Sequence, residues 1–282
     1  MTKDLDKITI KRGKRGDFSP TQSDHYHNHY EFCYLNSGKC RFLLQDSVYQ
    51  LEKGDLVFIT PGDLHHAIYT SNPTCEIIMI CFRREDIDWA MLHRIMENRE
   101  SSSTLHSFMG SIPLLYQEEF VQLLLRMLSE ATIIDDYSNG FMACYLLEVL
   151  LMLMRHSVMN EEDPDFLNSR DADILIATKY IYKNYKKPLS LDEVSAQAAL
   201  SPTYFSKKFK QITGMGFKEY LNCVRLRHAQ TALLTTNNTI TDIALENGFN
   251  DSNYFKDLFK KVYGNTANPK RLSIPLPALL LS

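Results

Sequence analysis

The sequence predicts a two-part α+β chain: an antiparallel β-barrel with accessory helices, followed by an all-α domain built from two helix-turn-helix units. Three observations predict it. Short runs rich in Phe, Tyr, Val and Ile, separated by turn-forming residues, fill residues 25–82. Helical apolar spacing replaces them after Arg83. In the last hundred or so residues, positions fifty apart repeat. Charge divides along the same line. Residues 1–169 hold 15 Lys/Arg against 25 Asp/Glu, while residues 170–282 hold 16 against 9, so a net −10 precedes a net +7. A basic back half suits a polyanion, and this charge alone fits RNA or an acidic protein as well as DNA.

The front strands are expected at Glu31–Leu35, Arg41–Leu44, Val48–Leu51, Leu56–Ile59 and Glu76–Phe82. Turn signals separate them: Asn36-Ser-Gly38, Gln45-Asp46-Ser47, Glu52-Lys-Gly54, Pro61-Gly62 and Ser71-Asn-Pro73. Such even spacing favours a barrel or sandwich. Helices are expected at 85–98, 113–134 and 138–157. The last carries apolar residues on more than one face (Phe141, Tyr145, Leu146, Val149, Leu150, Leu153, Met154), which suits either a core helix or a dimer seam. The acidic stretch 161–171, with Pro164, reads as a linker. The expected organisation is therefore a barrel over 1–84, a helical accessory or dimerisation segment over 85–160, this linker, and a basic helical domain over 172–282.

Six scattered cysteines offer neither a CxxC pair nor a disulfide framework. The N-terminal residues lack a signal-peptide apolar core, and the apolar run Phe141–Met154 is short of the roughly 20 residues a bilayer requires. A cytoplasmic, reduced protein is expected.

The repeat carries the strongest signal. Tyr204, Phe205, Phe209, Lys210 and Gly214 recur as Tyr254, Phe255, Phe259, Lys260 and Gly264. In the first copy Ser190 caps a helix with Glu193 at the capping-box position, Ala199-Leu200-Ser201 turns, and Ser201 caps a second helix with Pro202 at its first position. Phe205, Phe209 and Ile212 then face inward. In the second copy Thr239 or Thr241 opens a helix, Gly248-Phe249-Asn250 turns, Asp251 caps, and Phe255, Phe259 and Val262 face inward.

The outward residues form the candidate nucleic-acid surface. They are Pro202, Thr203, Tyr204, Ser206, Lys207 and Lys210 on the first unit, and Ser252, Asn253, Lys256 and Lys260 on the second. Asn can read adenine and Lys guanine in a major groove, while hydroxyls suit bases or phosphates. A connecting helix over 217–234, about 27 Å long, could set two recognition helices in successive major grooves about 34 Å apart. Arg225 on that helix is expected at a phosphate.

The run Ile240-x2-Ile243-Ala244-x3-Gly248-Phe249-x-Asp251-x2-Tyr254-Phe255-x3-Phe259-Lys260-Lys261-x2-Gly264 resembles the signature of AraC/XylS-type transcription regulators. The resemblance spans about the last 110 residues. It implies a seven-helix DNA-binding domain, a promoter-proximal double-stranded DNA target and, as possible further partners, RNA polymerase and a second copy of the chain. After Gly264 the chain departs from the family pattern: the Pro stands at 269 and the following aromatic is missing.

In the front half, His25, His27, His29 and Glu31 alternate along a strand start. The array His27-x-His29-x-Glu31-x6-Gly38, then Gly54-x6-Pro61-Gly62-x2-His65, resembles the cupin barrel, in particular the sensor barrel that precedes AraC-type domains. That resemblance implies a small effector, with a sugar as the first expectation, held by His27, His29, Glu31, Tyr34, Arg41 and His65. Two alternatives stay open: a metal-dependent cupin enzyme with a DNA-binding appendage, and an effector-free regulator whose barrel only dimerises. The leading expectation is a regulator with no catalytic residues, no cofactor and no resident metal.

Overall fold

The computed structural model describes residues 7–14, 27–68, 75–87, 107–159, 171–263 and 267. Its front half is an antiparallel double sheet. One sheet holds six strands in the order β1-β7-β2-β5-β8-β9 and the other three in the order β4-β3-β6. The strands are β1 (Thr9–Lys14), β2 (Tyr30–Ser37), β3 (Lys39–Leu44), β4 (Ser47–Glu52), β5 (Asp55–Ile59), β6 (His65–Ile68), β7 (Glu76–Phe82), β8 (Phe108–Ser111) and β9 (Val158–Met159).

Strand alternation sorts the side chains into two apolar layers. Along β2, Tyr30, Phe32 and Tyr34 point to one side, with Leu56, Phe58, Ile78 and Ile80. On that side they meet helices α1 (Leu114–Glu130) and α2 (Ser138–His156) through Phe120, Leu123, Leu146 and Val149. Leu35, Phe42, Leu44, Leu51, Val57 and Ile59 fill the space between the sheets. Every expected strand forms. The sequence reading missed β1 and β6, and it missed β8 and β9, which put sheet structure into the segment expected to be helical. Of the helix expected at 85–98, the described residues show a 3-10 turn at Arg84–Asp86 ended by Ile87 in extended conformation; residues 88–98, and the linker except Asp171, lie outside them.

Helix α2 buries Met142, Leu146, Val149, Leu150 and Leu153, so one face is core. Phe141 and Tyr137 remain 53% and 72% exposed. At 19 residues this helix is longer than the apolar run picked out in the sequence, and by length and composition it could cross a membrane. Its buried face is spent on the sheet instead.

The back half packs six helices among the described residues: α3 (Ala172–Asn184), α4 (Leu191–Gln197), α5 (Pro202–Thr213), α6 (Phe217–Thr235), α7 (Ile240–Glu246) and α8 (Ser252–Tyr263). Where the family's seventh helix would follow lies outside the described residues. The Ser190 hydroxyl accepts the Glu193 amide at 3.1 Å, and Thr239, rather than Thr241, caps α7 by accepting the Asp242 amide at 3.1 Å. Ser201 holds the cap position, yet its hydroxyl makes no cap bond; Pro202 at the first helical position removes one orphan donor. Glu193 does not complete a capping box, because Tyr180 donates to its carboxylate at 2.7 Å. Phe205, Phe209, Phe255 and Phe259 are fully buried, as the duplication requires.

Candidate sensor pocket and nucleic-acid interface

Three buried groups meet between the two sheets. The Nε2 of His27 lies 3.2 Å from Glu31 Oε2. The ring of His65 stands edge-on to His27 at 4.9 Å. Each imidazole is aimed by its other nitrogen: His27 Nδ1 bonds the His29 carbonyl at 2.8 Å, and His65 Nδ1 bonds the Asp63 carbonyl at 2.9 Å. His29 stacks on His27 with centroids 3.9 Å apart. One ligand atom from each of His27, Glu31 and His65 falls within 4.8 Å of the others.

Electrostatics fit a polar pocket in an apolar wall. Burial pushes the His29 imidazole down to about 3, helped by His27 beside it, so His29 is neutral. Burial alone would raise the Glu31 carboxyl, but the His27 hydrogen bond and the imidazoles of His27 and His65 outweigh it and bring Glu31 to about 2. The pocket thus holds a carboxylate among imidazoles. Such a set offers acceptors and donors to a hydroxylated ligand. It also fits a divalent ion, since the Nδ1–carbonyl bonds are the orienting contacts that metal-ligating histidines use.

Two expected pocket residues are elsewhere. Tyr34 is fully buried against Phe120, centroids 5.4 Å apart, on the helix-facing side of β2. Glu31 and Tyr34 are three positions apart, an odd step that puts them on opposite faces of a strand. Arg41 lies between Cys40 and Phe42, which both face the barrel interior, so alternation sends Arg41 to the other side. Phe42 instead stacks on His65. Of the six expected pocket residues, His27, His29, Glu31 and His65 come together.

On the back half, α5 leaves Thr203, Tyr204, Ser206, Lys207 and Lys210 exposed, with Pro202 partly so. Helix α8 does the same with Asn253, Lys256 and Lys260, with Ser252 partly exposed, and Tyr254 alongside. The inward Phe pairs leave these residues on the opposite face of each helix. Arg225 is differently engaged. Its Nε donates to the Tyr185 carbonyl and Nη2 to the Lys187 carbonyl, both at 2.8 Å, and its guanidinium lies over the Phe249 ring. It ties the end of α3 to α6, a structural bond that the expectation of a phosphate contact did not include. Lys208, which the sequence reading passed over, pairs with Asp171 and Asp173.

Comparison with known proteins now bears on both halves. The AraC-like ligand binding domain matches residues 19–150, and a helix-turn-helix domain matches residues 194–271. The chain belongs to the AraC family. Among its relatives, the HTH-type transcriptional activator RhaR of Escherichia coli is 26% identical over 249 residues, covering 88% of this chain and 86% of its own. RhaR of Shigella flexneri matches to the same extent. Among solved structures, the C-terminal domain of the response regulator yesN from Fusobacterium nucleatum is 36% identical, covering 34% of this chain and 92% of its own, with a TM-score of 0.32. Unsaturated fatty acid-bound ToxT from Vibrio cholerae is 11% identical, covering 96% and 97%, with a TM-score of 0.36.

As an AraC-family transcription regulator, the chain joins a ligand-binding barrel to a DNA-binding domain, and the two touch. Leu43, Val48 and Leu64 of the barrel enter the hydrophobic cluster of the helical half. The Tyr220 hydroxyl donates to the Gln45 carbonyl at 2.8 Å, and Arg227 Nε approaches Asp63 Oδ1 at 2.5 Å. None of these contacts was found from the sequence. An Asp two residues before His65, in a turn otherwise expected at the surface, was the available signal.

Proposed function

We propose that this regulator binds a small hydroxylated effector, a sugar or a related metabolite, among His27, His29, Glu31 and His65. It reads double-stranded DNA with two faces, one from Pro202, Thr203, Tyr204, Ser206, Lys207 and Lys210, the other from Ser252, Asn253, Lys256 and Lys260. The carrying observation is that an otherwise apolar barrel encloses a buried carboxylate and three imidazoles, while each recognition helix leaves a polar face open. An effector regulates only if it binds two states of the protein unequally. The chain acts in the cytoplasm, as a homodimer whose seam includes Tyr137 and Phe141, contacts RNA polymerase at its promoters, and has no catalytic role. The organisation into a barrel over 1–84, helices over 85–160, a linker over 161–171 and a DNA-binding domain over 172–282 is part of this reading.

The test has two arms. A gel shift on the DNA upstream of its own gene and on neighbouring promoters should give sequence-specific, salt-sensitive binding. A thermal-shift panel of sugars should raise the melting temperature of the wild type and not of Glu31→Gln. No specific DNA binding, or no sugar response, counts against the corresponding half.

A second reading is favoured by the closeness of the His27, Glu31 and His65 ligand atoms: a divalent transition metal, which would suit imidazole and carboxylate donors. Metal analysis of the purified chain separates the two. A stoichiometric metal lost in His27→Ala supports the metal, and a metal-free wild type removes it.

A further inference from the structure

One charged pair ties the ligand-binding barrel to the DNA-binding domain, and it is built more carefully than a surface contact. Asp63 is 1% exposed. Its Oδ2 accepts from Thr60 Oγ1 at 2.6 Å and from Ser107 Oγ. Its Oδ1 is fully buried, makes no aligned hydrogen bond, and depends on the charge of Arg227, whose Nε is 2.5 Å away. A buried carboxylate held at one oxygen by hydroxyls still needs a cation at the other.

The surrounding contacts reach two helices of the DNA-binding domain at once. Arg227 and Tyr220 lie on α6, the helix between the two reading units. Gly62, at φ +83°, is covered by the ring of Tyr263, the last residue of α8; a Cβ at Gly62 would fall inside that ring. The turn at Gln45 takes a left-handed φ of +57°, its amide donates to the Leu64 carbonyl at 2.8 Å, and its carbonyl meets Tyr220. A non-glycine residue in that conformation costs energy that the surrounding contacts must offset. Meanwhile the outward residues of α5 and α8 stay open. The barrel therefore grips the base of the helical domain without covering its reading faces.

The same turn serves the pocket. Asp63 lies two residues before His65, and the His65 ring bonds the Asp63 backbone carbonyl. One residue is thus fixed at its carbonyl by a pocket imidazole and at its carboxylate by the DNA-binding domain.

We infer that Asp63 and Arg227 form an interdomain latch. Gripping the connecting helix and the end of α8, it sets how the two helix-turn-helix units are oriented to each other, and it converts movement of His65 into release or strengthening of that grip. The latch itself stands on the contacts described; its use as a signal rests on the effector reading above. The experiment below uses neither effector nor operator, so failure of one leaves the other to its own test.

The full-length chain is compared with Asp63→Asn, Arg227→Met, the double variant Asp63→Asn/Arg227→Met, Tyr220→Phe, and Lys208→Met as a control whose ion pairs, with Asp171 and Asp173, involve no barrel residue. Small-angle scattering reads the maximum dimension, and calorimetry reads whether the halves unfold together. The wild type should unfold in one transition. Asp63→Asn and Arg227→Met should each increase the maximum dimension and split the transition in two, and the double variant should be no worse than either single. Tyr220→Phe removes one hydroxyl, so it reports in the same direction if the charge variants do not fold. Lys208→Met should keep one transition and the wild-type dimension. Unchanged scattering and a single transition in Asp63→Asn and Tyr220→Phe, or a Lys208→Met effect equal to theirs, would overturn the latch.

Discussion

The two helix-turn-helix units are copies of one scaffold that have kept their buried Phe pairs and changed much of the rest, with the exposed Tyr204/Tyr254 and Lys210/Lys260 also unchanged. Phe205, Phe209 and Ile212 in the first unit stand where Phe255, Phe259 and Val262 stand in the second, and all are buried. Outside that core the copies diverge. Thr203 faces Asn253 across the repeat, Lys207 faces Asp257, and Lys208, tied to Asp173, faces Leu258. Thr213, whose hydroxyl bonds the Phe209 carbonyl within its own unit, is replaced by Tyr263, which reaches the barrel. Packing holds one answer for both copies, whereas their partners differ, so the units are equivalent as folds and unlike in the faces they leave open.

Experiments can break that comparison, and the largest effect tests its shared part. Phe209→Ala and Phe259→Ala should each destabilise the helical domain by about 3–5 kcal/mol, measured by denaturant unfolding. Costs that differ well beyond the usual context spread would show the interiors are not equivalent. Asn253→Ala should cost about 1–3 kcal/mol of discrimination at one base pair of the bound DNA, with a smaller loss for Thr203→Ala, read by competition binding. Equal losses would make the units equal readers. Lys207→Ala should weaken binding to all sequences alike and flatten the salt dependence by about one unit of slope, whereas Asp257→Lys should steepen it. Smallest on DNA is Arg225→Ala. It should lower stability by about 1–3 kcal/mol through the two freed carbonyls and leave the salt slope unchanged.

Much of this architecture was legible in the sequence, and the limits have physical causes. Periodicity found the strands of the barrel and the inward Phe pairs because burial imposes it on local order. Strand β1 was missed because Thr9–Lys14 carries mostly charge and glycine and gains its place by pairing with β7. The misplacement of Tyr34 was avoidable: counting faces from Glu31 sends it to the helices. Arg41 could have been placed the same way, since alternation from the apolar Cys40 and Phe42 sends it to the other face of β3. Arg225 reads as a surface cation in sequence, and only the fold brings the Tyr185 and Lys187 carbonyls to it. The Asp63–Arg227 pair spans 164 positions, and its one local trace is an Asp in the turn two residues before His65.

Strand β9 carries a consequence of its own. Val158 and Met159 pair with Ser111 and Gly110 of β8, and β8 in turn pairs with β5, the neighbour of the strand that bears Glu31. The last residues before the interdomain segment are therefore stitched into the rim of the sensing sheet. Any change in that rim would therefore also shift the point at which the chain leaves the sheet, at Met159.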